Sequence, residues 1–295
     1  MFNQLKTVLL LGALSTLLVV IGGVLGRDYV GLFFGLAVLL NIGAYFFSDK
    51  LVLAMHGARE VSAEEAPVLH RIVADVAKRA CLPMPRVCIV PSPQPNAFAT
   101  GRNPAHGVVA VTEGILGLLS ERELRGVLAH EVGHIKNREI LVSTIAAILA
   151  AAITQAAHVL QWGAYMSGGR RGDDDGPSPL GQLALALVAP FAAMLLQLGV
   201  SRSREYLADE TGAQVSDDPE ALASALEKLA RGAARVPMPV NPATANLFIV
   251  NPMLGQGGLL SLFSTHPAME ERIRRLRAMA SARRAAPGAN PFMVR

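Results

Sequence analysis

Residues 120–162 read SERELRGVLAHEVGHIKNREILVSTIAAILAAAITQAAHVLQW. Ser120 followed three residues later by Glu123 is a capping box, and it predicts a helix running through about Asn137. Within that helix, His130-Glu131-Val132-Gly133-His134 places two histidines four apart on one face, where both imidazoles reach one ion. Zinc accepts neutral imidazole nitrogen, and a catalytic zinc keeps one position open for water. Glu131 stands beside such an ion without being needed as a ligand, free to take the proton of a water. Two solvated or packed histidines give the same five-residue pattern, but the capped helix and the room left by Gly133 favour the metal reading. From residue 140 charge vanishes for 30 positions, so the helix is expected to lead almost directly into a membrane span ending near Trp162 and Tyr165.

Outward from this stretch, the 295-residue chain is 52% hydrophobic and only 17% charged, against roughly 25% in a soluble domain. Disorder is excluded by the apolar content, and a disulfide scaffold by the presence of only Cys81 and Cys88. Apolar runs lie at 7–26, 29–48, 140–162 and 180–200, each long enough for a bilayer core about 30 Å thick. Pro190 is tolerated as a kink in the last of them. A signal peptide is the competing reading of the first run, but that run is too long and lacks an A-x-A site. Buried helices of a soluble core compete for the last two, which Gln155, His158, Gln182 and Gln197 interrupt; the long absence of charge favours spans.

Residues 48–139 hold eleven Lys and Arg, and residues 200–295 hold twelve. The positive-inside rule puts both segments and both termini in the cytoplasm, with two reduced thiols. A net charge of +4 and pI near 9.3 then need no nucleic-acid partner, only attraction to anionic lipid. The expected architecture is a mainly α membrane protein. It has a two-helix hairpin (1–48), a cytoplasmic part with the two-histidine helix (49–139), a second hairpin (140–201) and a second cytoplasmic part (202–295). The cytoplasmic α+β region should hold an amphipathic helix over 62–80, capped by Ser62 and Glu65, and short strands at 86–90, 97–100 and 107–112. Residues 236–269 are charge-free too, but five prolines and three glycines forbid a continuous helix and predict a loop.

Two histidines leave a metal short of a ligand. Just after the fourth run, Glu205 and Asp209 lie four apart on one helical face: a carboxylate ligand, and a second carboxylate placed to accept a ring N–H from a zinc-bound histidine. Taken alone, residues 202–210 also read as a solvated charged face. The unfilled ligand position favours the site. The helix of residues 120–138 leads into the third run and Glu205 follows the fourth, which would bring both metal-bearing segments out of the bilayer on one side.

His130–Asn137 (HEVGHIKN), Arg204–Asp209 (REYLAD), Asn96–Gly101 (NAFATG) and Ser264–Pro267 (STHP) together resemble the HtpX family of bacterial integral-membrane zinc metalloproteases, relatives of the prenyl-protein endoprotease. The resemblance runs over nearly the whole chain. It implies a gluzincin-like fold with His130, His134 and Glu205 on one Zn2+, Glu131 as base and Asp209 behind the ligands. It implies an edge strand at Asn96, Ala97, Phe98 and Ala99 that pairs with extended substrate, a mode with little sequence selectivity. By similarity His266 donates to the oxyanion, with Arg272 as further transition-state support. The implied role is cleavage of misfolded or damaged membrane proteins at the cytoplasmic face of the bacterial inner membrane. A dedicated prenyl-type peptidase and a non-catalytic protein with structural zinc are the alternatives. His56, His70, His106 and His158 lack partner spacing and read as structural or surface residues.

Overall fold

The computed structural model describes residues 7–9, 11–12, 15–16, 19, 23, 26–148, 202–235, 247–250 and 267–285. Among these, helix α1 (Tyr29–Met55) is the one helix long and apolar enough to cross a membrane, with a mean hydropathy of 2.0 over its most apolar stretch. It leaves Leu32, Phe34, Leu39, Ile42 and Phe47 exposed, a surface at home in lipid rather than in water. The described helical residues between 7 and 23 lie against it: Asn41 Nδ2 donates to Ser15 Oγ at 2.8 Å and to the Leu11 carbonyl at 3.4 Å. Such polar contacts tie helices together inside a bilayer. The expected end at residue 48 is not a break, since α1 carries Asp49 and Lys50 onward to Met55. Of the third and fourth runs only the helical residues 140–148 are described, and residues 149–201 lie outside the described set.

After the short strand β1 (Arg59–Glu60) comes α2 (Pro67–Arg79). The capping box expected to open this helix forms: Ser62 Oγ accepts from Glu65 N at 3.3 Å and Glu65 Oε2 from Ser62 N at 2.9 Å. It closes a turn ahead of the helix instead. Pro67 restricts the residue before it, Ala66 sits at φ −136°, and α2 starts with proline at its first turn. Leu69, Ile72, Val73 and Val76 are buried as the periodicity requires, whereas Val68, assigned to the same face, is 42% exposed.

Strands β2 (Arg86–Val90), β3 (Ala97–Thr100) and β4 (Val108–Thr112) complete a sheet of order β1-β2-β4-β3. β2 and β4 are parallel; β3 runs antiparallel to β4, Ala97 opposite Val111, and forms an edge. Alternate side chains serve two cores. Val87, Ala97, Ala99, Val109 and Val111 face the helices, while Cys88, Phe98, Val108 and Ala110 pack with Val52 and Leu53 of α1 and with Phe248. The end of the apolar helix therefore covers one face of the sheet.

A short helix α3 (Glu113–Leu118) leads to α4 (Glu121–Lys136), which carries the two histidines. α4 packs against α2, β3, α5 (Arg202–Ser216) and α6 (Pro219–Arg235); α7 (Met269–Ala285) covers α5 and α6. Glycines permit the closest approaches. A Cβ on Gly126 would meet Leu222 N at 3.0 Å, and one on Gly212 would lie 2.9 Å from the His130 backbone.

The Ser120–Glu123 capping box forms at α4 as expected, and Glu123 also joins α4 to α6, accepting from Lys228 Nζ and Ser224 Oγ at 2.7 Å each. Burial works to raise the Glu123 carboxyl, but Lys228, Ser224 and Ser120 outweigh it and hold it down at about 2. A carboxylate so depressed stabilises the fold above its unfolded value of 4.5, and that contribution fades as pH falls towards 2. Glu123→Gln should therefore melt below wild type at neutral pH, with the gap closing between pH 4.5 and 2 in thermal unfolding of the detergent-solubilised protein. Equal melting temperatures at neutral pH would contradict this.

Candidate metal centre

α4 runs buried through its ligand turn: His130 is 0% and Glu131 2% exposed. The two imidazoles stand edge to face, with their Nε2 atoms 3.2 Å apart. His130 Nδ1 lies 2.9 Å from Asp209 Oδ1, and His134 Nδ1 lies 2.9 Å from Glu139 Oε2. An ionised carboxylate only accepts, so each Nδ1 carries the proton and donates it, and each Nε2 turns a lone pair inward. Glu205 closes the third side, Oε1 at 3.7 Å from His134 Nε2 and Oε2 at 3.8 Å from His130 Nε2. One ligand atom from each of His130, His134 and Glu205 lies within 4.8 Å of the other two.

Two Nε2 atoms at 3.2 Å need a positive centre between them, either a proton shared from His134 or a metal ion that replaces it. Bonds of about 2.05 Å at a tetrahedral ion place two nitrogens roughly 3.3 Å apart, so the observed separation suits a shared ion. Two imidazoles and a carboxylate are a donor set zinc accepts. The electrostatics agree. Burial would lower His134, but the Glu139 hydrogen bond and the charges of Glu205 and Glu131 outweigh it and hold the ring up at about 9. The field that would keep a proton there attracts a metal ion equally. His130, fully enclosed, is pushed down to about 4 by burial despite Asp209.

Glu131 lines the same cavity, a space of about 30 Å³ bordered also by Ala99 and Phe248, large enough to hold a water. Burial pushes its carboxyl up to about 7, with Glu205 adding to the rise, while His134, Arg272 and the Ala99 N–H that donates to it pull the other way. Its proton affinity is thus matched to accepting and returning a proton near neutral pH.

The remaining expected residues are placed unequally. Of the edge strand, only Ala99 borders the cavity. Phe98 points to the opposite face, 1% exposed and edge-on to Phe248 at 5.2 Å. Asn96 is a clamp: its Nδ2 donates to the Val250 carbonyl at 2.7 Å, while Ile249 N donates to the Ala97 carbonyl at 3.0 Å. Residues 247–250 thus lie along one end of the β3 edge and leave the Ala99 end to the cavity. Arg272 is wholly buried, donating Nε and Nη2 to Asp209 at 2.8 and 2.7 Å and Nη1 to the Ile249 carbonyl at 3.1 Å. It does not line the cavity, but besides Asp209 it lies 3.7 Å from Glu205 Oε2 and 3.4 Å from His130 Nε2, and its charge holds Asp209 below the usual carboxylate range against the effect of burial. His266 lies outside the described residues.

Glu139 is the site residue that sequence reasoning missed. A continuous helix would turn residue 139 away from residue 134. Instead α4 stops at Lys136, Arg138 adopts φ +57°, and Glu139 N bonds back to the His134 carbonyl at 3.0 Å. The helix ends where expected, at Asn137, but no Gly or Pro marks the turn at Arg138 that brings Glu139 back, so the only signal for Glu139 was a carboxylate at the junction between motif and span.

Residues 62–280 match the model of peptidase family M48. The chain belongs to that family. The Protease HtpX homolog of Pelotomaculum thermopropionicum is 55% identical over 283 residues, covering 94% of this chain and 99% of the relative. That of Syntrophobacter fumaroxidans is 53% identical, covering 95% and 100%. The solved structure of S. mikatae Ste24p aligns with 82% of this chain and 56% of its own at 17% identity, with a TM-score of 0.46. This M48 chain is therefore a membrane-anchored metalloprotease, and the matched region contains every residue of the centre.

Glu139→Ala frees the His134 ring and should weaken metal binding roughly 10- to 100-fold, as loss of an outer carboxylate does. Competition against a chromophoric chelator measures it; wild-type affinity in the variant would show that Glu139 orients nothing.

Proposed function

We propose that the chain is a zinc endopeptidase that cleaves misfolded or damaged membrane proteins at the cytoplasmic surface of the bacterial inner membrane. The observation that carries the reading is the locked pair of imidazoles: both Nδ1–H groups are tied to buried carboxylates, and both Nε2 atoms converge with Glu205 beside a buried Glu131. His130, His134 and Glu205 would hold the zinc, which when bound polarises the scissile carbonyl and acidifies water. Glu131 takes the proton of the attacking water and delivers it to the leaving amine. Asp209 keeps the His130 ring oriented, and Arg272 keeps Asp209 ionised and in place, a positioning role in place of direct transition-state support. His266 is assigned the oxyanion donor by its place in the STHP motif.

Extended substrate pairs with the outward backbone of β3 at Ala99, the one edge residue on the cavity wall, through its carbonyl, because its N–H is given to Glu131. Backbone pairing gives affinity with little demand on sequence, which suits a protease of damaged chains. Four spans with the protease parts inside are supported by the eleven and twelve basic residues of the two long segments.

Glu131→Gln should keep its zinc and lose casein cleavage roughly 10²- to 10⁴-fold, the usual loss for a general base; undiminished cleavage would sink the mechanism. Glu205→Ala should leave the purified protein with little zinc by elemental analysis, and wild-type content would remove Glu205 from the ligand set.

Sidedness has its own probe. Cys81 is exposed and Cys88 buried, and burial pushes the Cys88 thiol up to about 11. A membrane-impermeant maleimide should thus label Cys81 alone, and only after permeabilisation of spheroplasts. Labelling of intact spheroplasts would place the site on the outer face.

A further inference from the structure

A second cavity of about 680 Å³ opens where the end of α1 meets the turn after β3, and it shares no residue with the metal centre. One wall is apolar: Ile42, Phe46 and Phe47, which are 50, 48 and 55% exposed, continue the lipid-facing surface of α1 into the cavity. The other carries Lys50, Arg86 and Arg102 with one carboxylate, Asp49, while Glu60 beside it also pairs with Arg86 at 3.3 Å, so the excess charge rests on Lys50 and Arg102. Asp49 is already taken by Arg86 at 2.7 Å, and among the described residues neither Lys50 nor Arg102 makes an ion pair.

Arg102 is held rather than left to wander. Gly101, at φ +132°, lets the chain turn so tightly that a Cβ would lie 2.3 Å from the His106 carbonyl. Asn103 Oδ1 accepts from His106 Nδ1 at 2.8 Å, which leaves His106 Nε2 to accept from Arg102 Nη2 at 2.7 Å. The guanidinium then lies 5.5 Å from the centre of the Phe46 ring, and Lys50 Nζ at the same distance from Phe47. Cations resting on aromatic rings at the end of a lipid-exposed helix put positive charge at headgroup level.

We propose that this cavity binds an anionic glycerophospholipid, its phosphate between Lys50 and Arg102 and an acyl chain along Ile42 and Phe46. Uncompensated positive charge selects an anion over a zwitterion. The apolar wall selects a lipid over free phosphate, because a small ion leaves that wall unused. The bound lipid would brace the turn that follows β3, and with it the edge beside the catalytic cavity.

The test is native mass spectrometry of the full chain in detergent, titrated with phosphatidylglycerol and with phosphatidylcholine of the same acyl chains. Wild type should take up one phosphatidylglycerol with at least roughly tenfold preference, and Lys50→Gln with Arg102→Gln should lower it by roughly fivefold for each cation removed. The distant pair Arg71→Gln with Arg79→Gln should change nothing. No preference in wild type, or full preference in the double variant, overturns the proposal. Displacement of the lipid by an equal concentration of sn-glycerol 3-phosphate also overturns it, by revealing a site for the free phosphate. Should the double variant not fold, Arg102→Gln alone is the milder variant, with roughly a fivefold loss expected and full preference again contradicting the lipid site.

Discussion

Helix α5 crosses α4 so closely at Gly212 that a β-carbon there would sit 2.9 Å from the His130 backbone. Much of the centre hangs on that approach. Gly212, Asp209 and Glu205 lie on one face of α5, so pressing Gly212 onto α4 brings Asp209 to His130 Nδ1 and Glu205 to the facing Nε2 atoms. A larger side chain at the crossing would push the helices apart and lengthen the contacts that Asp209 and Glu205 make with the two imidazoles. Gly133 eases the same contact from the other side, its own missing Cβ 3.3 Å from the Ala208 carbonyl.

Such packing buries charge. Glu131, Glu139, Glu205 and Asp209 are each less than 5% exposed, with Arg272 fully enclosed among them. Unpaired, a buried carboxylate is costly, and removing one partner of a buried pair typically destabilises by about 3–5 kcal/mol. Here each charge has a counterpart: Arg272 answers Asp209 and, at 3.7 Å, Glu205, the imidazole N–H groups answer Asp209 and Glu139, and the Ala99 N–H answers Glu131. A divalent ion adds the positive charge that the inward-facing lone pairs and Glu205 call for, so metal binding and stability of the centre are linked.

The membrane helix is a structural part of the enzyme as well as its anchor. Val52 and Leu53 of α1 seal the face of the sheet opposite α4, and His56 continues that seal beside Phe98 and Phe248 at ring separations of 5.4 and 4.9 Å. Burial lowers His56 to about 4, so it packs there as a neutral aromatic ring. Phe98 is a neighbour of Ala99, whose N–H contacts Glu131. One short strand therefore joins the apolar helix to Glu131.

The sequence by itself determined whatever depends on local spacing. The capping box starts α4, four-residue spacings put His130 with His134 and Glu205 with Asp209, and the apolar run at 29–48 marks helix α1. Each follows from helix geometry or from solvent preference over about 20 neighbouring residues. Tertiary structure alone decided what depends on distant segments meeting. Glu139 enters the site because the chain turns back at Arg138 after α4 ends, a turn without Gly or Pro. The Ser62 capping box closes a turn because Pro67 delays α2. Ile249 reaches Ala97 across more than 150 residues of chain, and Arg272 comes from the final described helix to fix both Asp209 and that segment. Those meetings are set by which surfaces can pack without voids or unpaired charge, and that condition holds only when the whole chain is in place.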